Sequence, residues 1–313
     1  MQTKETSLTL LAVTFFLVSC GTTGADIKAA QELAKLRGQA ITIFPEMAND
    51  VYQSCRRTAE LSLLNIPTEN FGEIDKDRKG AREICKGNPA AASQSLNDVN
   101  ALILDYLDAL GKLASDNIIN YDKNLDEINN SLRSLPGLTQ EEQKNAVDAG
   151  TEIAKFLFRI ATEAYRRDQL KSVIIGTNDY LQTLSTALEK AVTKGYINGV
   201  LENEQAALDN YYRYYLGRIL SAPQTESVSA QTTTEHTFDQ DWKKANSSIE
   251  AKKDFAKDYL FLLKNIAADH QKLKGMYVTG EEPSPTLVKE MVNGYTKDLK
   301  SLTKKSEILF PKK

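Results

Sequence analysis

Apolar residues recur at helical spacing along almost the whole chain after residue 25. In the stretch 25–64 they stand three or four positions apart, which is the spacing of one helix face. Pro45 predicts a kink or an interruption there, because it has no amide hydrogen and its ring clashes with the preceding turn. The alternation of Val, Ile and Thr that is typical of strands is nearly absent. The pattern therefore predicts an all-α protein.

The longest uninterrupted pattern runs from residue 89 to about residue 134. Its apolar positions step by three and four residues alternately, as in the heptads of a coiled coil, with one longer step near Ala114 and Ile118. At 1.5 Å per residue the stretch predicts a helix about 65–70 Å long, which Pro136-Gly137 ends. The apolar positions are Leu96, Val99, Ile103, Tyr106, Leu110 and Leu113, then Tyr121, Leu125, Ile128, Leu132 and Leu135.

More helices are predicted beyond this stretch. Thr139 and Glu142 have the spacing of a capping box, which predicts the start of a helix. Helical spacing continues to about residue 192. The two glycine-containing dipeptides within 194–199 then predict either a turn or a loosened helix, after which the helical spacing returns.

The segment 221–237 differs in composition from its surroundings. It is rich in Ser, Thr and Gln, contains Pro223 and has no apolar period, so it predicts a mobile polar linker at the surface. From Phe238 the helical spacing resumes, with one lapse at Lys252, and a final helix follows the turn at 280–285. Residues 25–313 are thus predicted to form one helical bundle.

Short turns between helices favour antiparallel neighbours. We therefore predict an elongated antiparallel helical bundle with long, coiled-coil-like helices. The heptad seams can close within one chain or between two chains, so a homo-oligomer is as consistent with the pattern as a monomer is.

The first twenty residues have a different pattern. Residues 7–19 form an apolar run that follows Lys4 and Glu5, and it ends in Leu17-Val18-Ser19-Cys20 with Gly21 behind it. A bilayer-spanning helix needs about 20 residues, so this run is too short to span but has the length of the apolar core of a secretory signal. The order resembles the signal peptide and lipobox of a bacterial lipoprotein, and the resemblance covers residues 1–20 only.

The resemblance implies a signal peptide at 1–19, cleavage before Cys20, and acyl chains on the sulfur and the new amino group of Cys20. Residues 20–24 become a tether that holds the mature chain at a membrane. In enterobacterial lipoproteins an Asp after the cysteine retains the protein at the inner membrane. Gly21 therefore implies the outer membrane, facing the periplasm, if the host is Gram-negative. The alternative is an ordinary signal peptide that is cut elsewhere.

The two remaining cysteines form an even pair in an exported, oxidising setting. A bridge from Cys55 to Cys85 closes a loop of about 30 residues, which contributes roughly 3–4 kcal/mol on the chain-entropy model. We therefore predict a disulfide that staples an irregular loop, within 55–88, onto the preceding helix. The alternative is a pair of buried free thiols.

Composition and motifs give little support to catalysis. The net charge of −3 lacks the strongly basic face of nucleic-acid-binding proteins, so we predict no nucleic-acid partner. The two histidines, His236 and His270, have no metal-ligand spacing, and His270 falls on an apolar seam as a core residue would. There is no phosphate loop and no nucleophile elbow. We predict no metal site, no cofactor and no enzymatic activity.

Two stretches are candidate binding surfaces. In the first, Tyr211, Tyr214, Tyr215 and Arg218 share one helix face while Tyr212 points partly away, and such groups stack on sugars or pack against a partner protein. The alternative is that the rings pack between helices. The second is the lysine-rich stretch 297–313, which suits an anionic lipid or peptidoglycan or, alternatively, is a solvated helix end.

These observations predict a lipid-anchored protein of the cell envelope that acts through protein–protein contacts. It would serve as a scaffold or accessory factor for another envelope protein, whose identity does not follow from the sequence. The alternative is a sensory or ligand-binding helical bundle that recognises a small molecule or glycan at the tyrosine and arginine face.

Overall fold

The computed structural model describes residues 31, 40–41, 43–63, 71–114, 117, 119–162, 169–221 and 228–311. Within these residues the chain is helical and has no strand, which confirms the all-α class. The predicted signal peptide, Cys20 and the tether lie outside the described residues. In the part that the structure describes, every helix is too short or too polar to cross a membrane.

Nine α-helices and one π-helical segment make up the described part. They are α1 (Phe44–Leu63), α2 (Phe71–Cys85), α3 (Asn88–Ala114), α4 (Leu125–Arg133), α5 (Gln140–Thr162), α6 (Leu170–Lys190), the π segment (Ala191–Leu201), α7 (Glu202–Ser221), α8 (Val228–Thr279) and α9 (Pro285–Leu309).

Side-chain caps fix several of the helix starts. At α5 the Thr139 amide donates to Glu142 Oε2 at 2.8 Å and the Glu142 amide donates to Thr139 Oγ1 at 3.3 Å, which confirms the capping box. At α9 the Leu287 amide donates to Ser284 Oγ at 3.2 Å, and a proline follows this cap. Residues 41 and 43 are turn residues and Pro45 lies in the first turn of α1, so the helix is interrupted before Pro45, which is one of the two predicted outcomes.

The predicted single helix over 89–134 is wrong, because the chain folds back. The helix α3 ends at Ala114, residues 119–124 are irregular, and α4 then packs on α3 in the opposite direction. Ser131 Oγ donates to Asp98 Oδ2 at 2.7 Å, and Lys123 Nζ lies 2.8 Å from Asp105 Oδ2. The longer step in the apolar pattern marks a helix end here.

The disulfide prediction is confirmed, but the irregular loop is not. Cys55 on α1 and Cys85 on α2 are joined, with their Cα atoms 5.8 Å apart. Residues 71–85 of the predicted loop form α2, which packs on α1. The bridge therefore joins two helices.

The predicted linker at 221–237 is also wrong in its second half. Residues 228–237 are the first ten residues of α8, which is 52 residues long, while 222–227 lie outside the described residues. Its early turns expose Thr232, Thr233 and Thr234. Because these side chains face water, no apolar period marks the helix there.

Contacts along α8 give its direction relative to its neighbours. It runs antiparallel to α6, because Gln182 Nε2 donates to the Ala267 carbonyl at 2.6 Å while Glu189 pairs with Lys264 at 2.7 Å. It also runs antiparallel to α9, because Asp258 pairs with Lys305 at 2.5 Å while Asp269 accepts a hydrogen bond from the Tyr295 hydroxyl. The elongated shape of the bundle stays a prediction.

The segment Ala191–Leu201 is π-helical, so the loosened-helix interpretation of its glycines is the correct one. The turn before α5 packs closely against it. A Cβ atom on Gly195 would lie 2.7 Å from Pro136 Cβ. A Cβ atom on Gly137, whose φ is +72°, would lie 2.8 Å from Lys194 Cβ. The widened helix places Tyr196 in the interior, fully buried.

Tyr196 belongs to a buried group that we call the ion cluster. Asp50 Oδ1 lies 3.1 Å from Lys252 Nζ and 3.0 Å from Arg57 Nη1, and Asp50 Oδ2 accepts a 2.8 Å hydrogen bond from the Tyr196 hydroxyl. Glu204 accepts from Arg57 Nε and from Ser54 Oγ, both at 2.5 Å. The cluster thus joins α1, the π segment, α7 and α8. The members are Asp50, Ser54, Arg57, Tyr196, Glu204 and Lys252.

Removing one carboxylate from the ion cluster should destabilise the protein strongly. Glu204 is only 4% exposed, so Glu204→Ala leaves Ser54 without its buried acceptor and leaves Arg57 with Asp50 as its one remaining carboxylate in the cluster. We expect the free energy of unfolding to fall by about 3–5 kcal/mol in urea denaturation followed by circular dichroism. Glu202→Ala makes the same change two residues earlier on an exposed side chain and should stay within about 0.5 kcal/mol of wild type. Equal losses in the two variants would contradict this role.

Candidate functional site

The helices α7 and α8 form a hairpin with an open cavity of ≈ 420 Å³ between them. Each helix contributes four side chains at the spacing i, i+3, i+4 and i+7, which is one helix face. We call this cavity the aromatic groove. It is lined by Asp209, Tyr212, Arg213 and Leu216 of α7 and by Glu235, Phe238, Asp239 and Trp242 of α8.

The aromatic rings of the groove are held at defined angles. Tyr212 and Phe238 contact each other edge to face across the hairpin, with ring centroids 5.8 Å apart and planes at 73°. The indole Nε1 of Trp242 donates to Asp209 Oδ1 at 2.9 Å, and Gln205 Nε2 donates to the same oxygen at 3.1 Å. The Asp209 carboxylate therefore fixes the indole ring in the cavity wall.

The groove carries more acidic than basic groups. Three of its lining residues have carboxylates, and Arg213 is the one cation among the eight. Asp239 forms an exposed ion pair with Lys243 at 2.7 Å, whereas Asp209 accepts its hydrogen bonds from two neutral donors. The cavity is therefore apolar along its walls and negative in charge.

The predicted tyrosine and arginine face lies on the same helix but not in the cavity. Tyr211 and Tyr215 contact each other with centroids 4.7 Å apart, and the Arg218 guanidinium lies 5.7 Å from the centre of the Tyr214 ring. All four side chains lie together as predicted, with the three tyrosines half-buried. That they bind anything stays a prediction, and the cavity uses Tyr212 and Arg213 instead.

The lysine-rich stretch near the C terminus is partly tied to the bundle. Lys305 pairs with Asp258. Phe310 packs edge-on against Phe255, with the ring centroids 5.5 Å apart. Lys297, Lys300 and Lys304 are exposed. This arrangement favours the interpretation as a solvated helix end; Lys312 and Lys313 lie outside the described residues.

A second cavity of ≈ 240 Å³ lies between α5 and α6. Its charged lining groups are Glu142 and Lys190, which pair with each other at 2.7 Å, and its other walls are mostly amides and hydroxyls. Its charges are matched internally and it has less apolar surface than the aromatic groove, so it offers less to a ligand.

His270 is a buried core residue, as predicted, and 3% exposed. Asn178 Nδ2 donates to Gln271, so its Oδ1 is the acceptor for His270 Nδ1 at 2.9 Å. In the neutral ring Nε2 then accepts from the Tyr106 hydroxyl at 2.7 Å. Burial lowers the pKa of His270 to about 4 and keeps the ring neutral. Nowhere in the described ranges do three or more His, Cys, Asp or Glu side chains gather as metal ligands would.

No protein-family model, curated protein or solved structure matches this chain. The aromatic groove is therefore judged on its own geometry. A signal for it is present in the sequence, because 209, 212, 213 and 216 share one helical spacing and 235, 238, 239 and 242 share another. The second set straddles the end of the segment that we predicted to be a linker.

The buried histidine should make stability depend on pH. The folded-state pKa is lowered to about 4, so between that value and about 6.5 the unfolded state binds the proton and the folded state does not. Stability is complete above pH 6.5 and falls as the pH is lowered, by about 2 kcal/mol between pH 7 and pH 5 at about 1.4 kcal/mol per pKa unit. Urea denaturation at each pH measures the loss. His270→Gln should remove that part of the slope, whereas His236→Gln, on an exposed side chain, should keep it. A wild-type slope that survives in His270→Gln contradicts the assignment.

Proposed function

We propose that this chain is a binding protein of the bacterial cell envelope that acts through reversible contacts rather than catalysis. The observation that supports this most is the aromatic groove, a cavity of ≈ 420 Å³ walled by Tyr212, Phe238 and Trp242. Ligand sites are commonly clefts of about 300–1,000 Å³ with apolar and aromatic walls and a few placed polar groups. The groove has this size and this make-up.

The polar groups of the groove suit binding better than proton transfer. The Asp209 carboxylate accepts hydrogen bonds from Trp242 and Gln205, and Asp239 is paired with Lys243. A general base is most effective when its pKa is tuned toward neutrality and a proton lies within its reach. These carboxylates instead orient a ring and neutralise a cation, which supports a non-catalytic role.

The scaffold function remains a second candidate, and the exposed end of α7 favours it. Leu216 lines the cavity and Leu220 continues the α7 stripe beyond it, and these side chains are 39% and 59% exposed. An amphipathic helix of a partner protein could lie along this stripe with its apolar face toward the groove.

The proposed membrane anchor rests on the lipobox resemblance of residues 17–20. The confirmed disulfide between Cys55 and Cys85 supports an oxidising compartment, such as the periplasm, because such bonds are rare in the cytosol. We place the protein at the outer membrane, facing the periplasm, if the host is Gram-negative.

Fluorescence offers a direct test of the groove, because Trp242 is the single tryptophan of the chain. A panel of small amines, sugars and aromatic compounds is titrated into the purified mature protein. At least one should change the Trp242 emission saturably, and at 100 times its Kd it should stabilise the protein by about 2.7 kcal/mol. Phe238→Leu should weaken that ligand about tenfold by removing one aromatic wall.

The matched control is Phe261→Leu. It makes the same change on the same helix at a side chain that is 58% exposed, and it should leave the affinity unchanged. An emission that stays constant across the whole panel would argue against ligand binding, and equal losses in the two variants would argue against this groove as the site.

The anchor is tested by growing cells with an alkyne analogue of palmitate. The wild-type protein should carry the label and partition into detergent, and Cys20→Ala should do neither, because the acylated sulfur is gone. A Cys55→Ala, Cys85→Ala double variant should keep the label, since a disulfide occupies both sulfurs in the wild type. A label that persists in Cys20→Ala would refute lipidation at this residue.

A further inference from the structure

We propose that the aromatic groove binds a linear aliphatic diamine, which is a hydrocarbon chain with a cationic amino group at each end. The inference rests on the proposed function, because it names the chemistry of the ligand for the same groove. Three properties of the groove support it: the angle between its aromatic walls, its surplus of negative charge, and the position of that charge.

The aromatic walls suit a narrow hydrocarbon chain. Tyr212 and Phe238 meet at 73°, so they form two steep walls rather than one flat platform. A sugar ring stacks best on a flat aromatic face, whereas a methylene chain contacts both walls at once. Ring faces also attract cations, most strongly that of an indole such as Trp242.

The surplus charge of the groove is negative. Lys243 offsets the charge of Asp239 at 2.7 Å, but the hydrogen-bond donors to Asp209 are the neutral side chains Trp242 and Gln205. Within the part of the chain that the structure describes, neither Asp209 nor Glu235 forms an ion pair. An anionic ligand would be repelled here, and a cationic ligand would be attracted.

The positions of these two carboxylates along the hairpin indicate that they lie toward opposite ends of the groove. Asp209 bonds to Trp242, and the Cα atom of Glu235 precedes that of Trp242 by seven residues, or about 10 Å, along α8. We therefore infer a separation of about 10 Å between the two charges. Tyr212 and Phe238 lie between them. In an extended diamine with seven or eight carbons the nitrogen atoms are about 10–11 Å apart on ordinary C–C bond lengths. Both amino groups are charged at neutral pH, as that of lysine is.

The test is a titration of the purified mature protein with α,ω-diaminoalkanes of four to ten carbons, followed by Trp242 fluorescence and calorimetry at low salt. We expect the tightest binding at seven or eight carbons. Octylamine, which has one cation, should bind about five- to tenfold more weakly, and 1,8-octanediol, which has none, should bind more weakly still.

Two variants test the ends of the groove one at a time. Glu235→Gln and Asp209→Asn should each weaken 1,8-diaminooctane about five- to tenfold, to near the affinity of octylamine. Asn at 209 keeps an acceptor oxygen for the indole of Trp242, so the ring should stay in place. The control Glu250→Gln removes the same charge from an exposed position about 22 Å further along α8 and should change nothing.

The outcomes separate this inference from the proposed function. If the diol binds as tightly as the diamine, if both end variants leave the diamine affinity unchanged, or if only other classes of compound bind, the diamine inference is overturned and the groove remains a ligand site. If no compound of any class perturbs Trp242, both the proposed function and this inference fail.

Discussion

The Asp50 carboxylate is the group on which the arrangement of the bundle depends. A buried charge without a partner costs several kcal/mol, so α1, the π segment and α8 must pack in the register that brings Arg57, Tyr196 and Lys252 to it. Glu204 adds α7 through the same arginine. With α7 and α8 both fixed at this cluster, the continuation of the hairpin is set as well, and the aromatic groove lies in that continuation.

The sequence specifies the helices better than it specifies their ends. The all-α class, the capping box at Thr139 and the bridge from Cys55 to Cys85 are predictable because each depends on local spacing or on simple pairing. The fold-back after Ala114 is not, because the one longer step in the apolar spacing, near Ala114 and Ile118, fits an irregularity within a coiled-coil helix as well as it fits a helix end. The start of α8 is missed for a different reason: the side chains of residues 232–234 face water, so no apolar period marks the helix there.

The same limits explain what was missed at the site. Periodicity gives the angular position of Tyr212 around its helix but not which helix covers it. The first ten residues of that helix, which include Glu235, were assigned to a linker. Lys252 shows where a signal was available, because a lysine interrupts the apolar seam of α8 and turns out to be 5% exposed and paired with Asp50. A charged residue at a seam position indicates a buried partner elsewhere in the chain.

The aromatic groove differs from these buried clusters because some of its apolar surface and one of its charges have no matching partner within the part of the protein that the structure describes. In the ion cluster and around His270 the polar groups are matched by partners from neighbouring helices. In the groove, apolar ring surface stays accessible and the Asp209 charge is met only by neutral donors. A neutral apolar molecule would cover the aromatic rings but would not pair with the carboxylates, and an inorganic cation would pair with a carboxylate but would not cover the rings. A hydrocarbon chain with a cation at each end would do both, because the apolar ring surface lies between the two carboxylates.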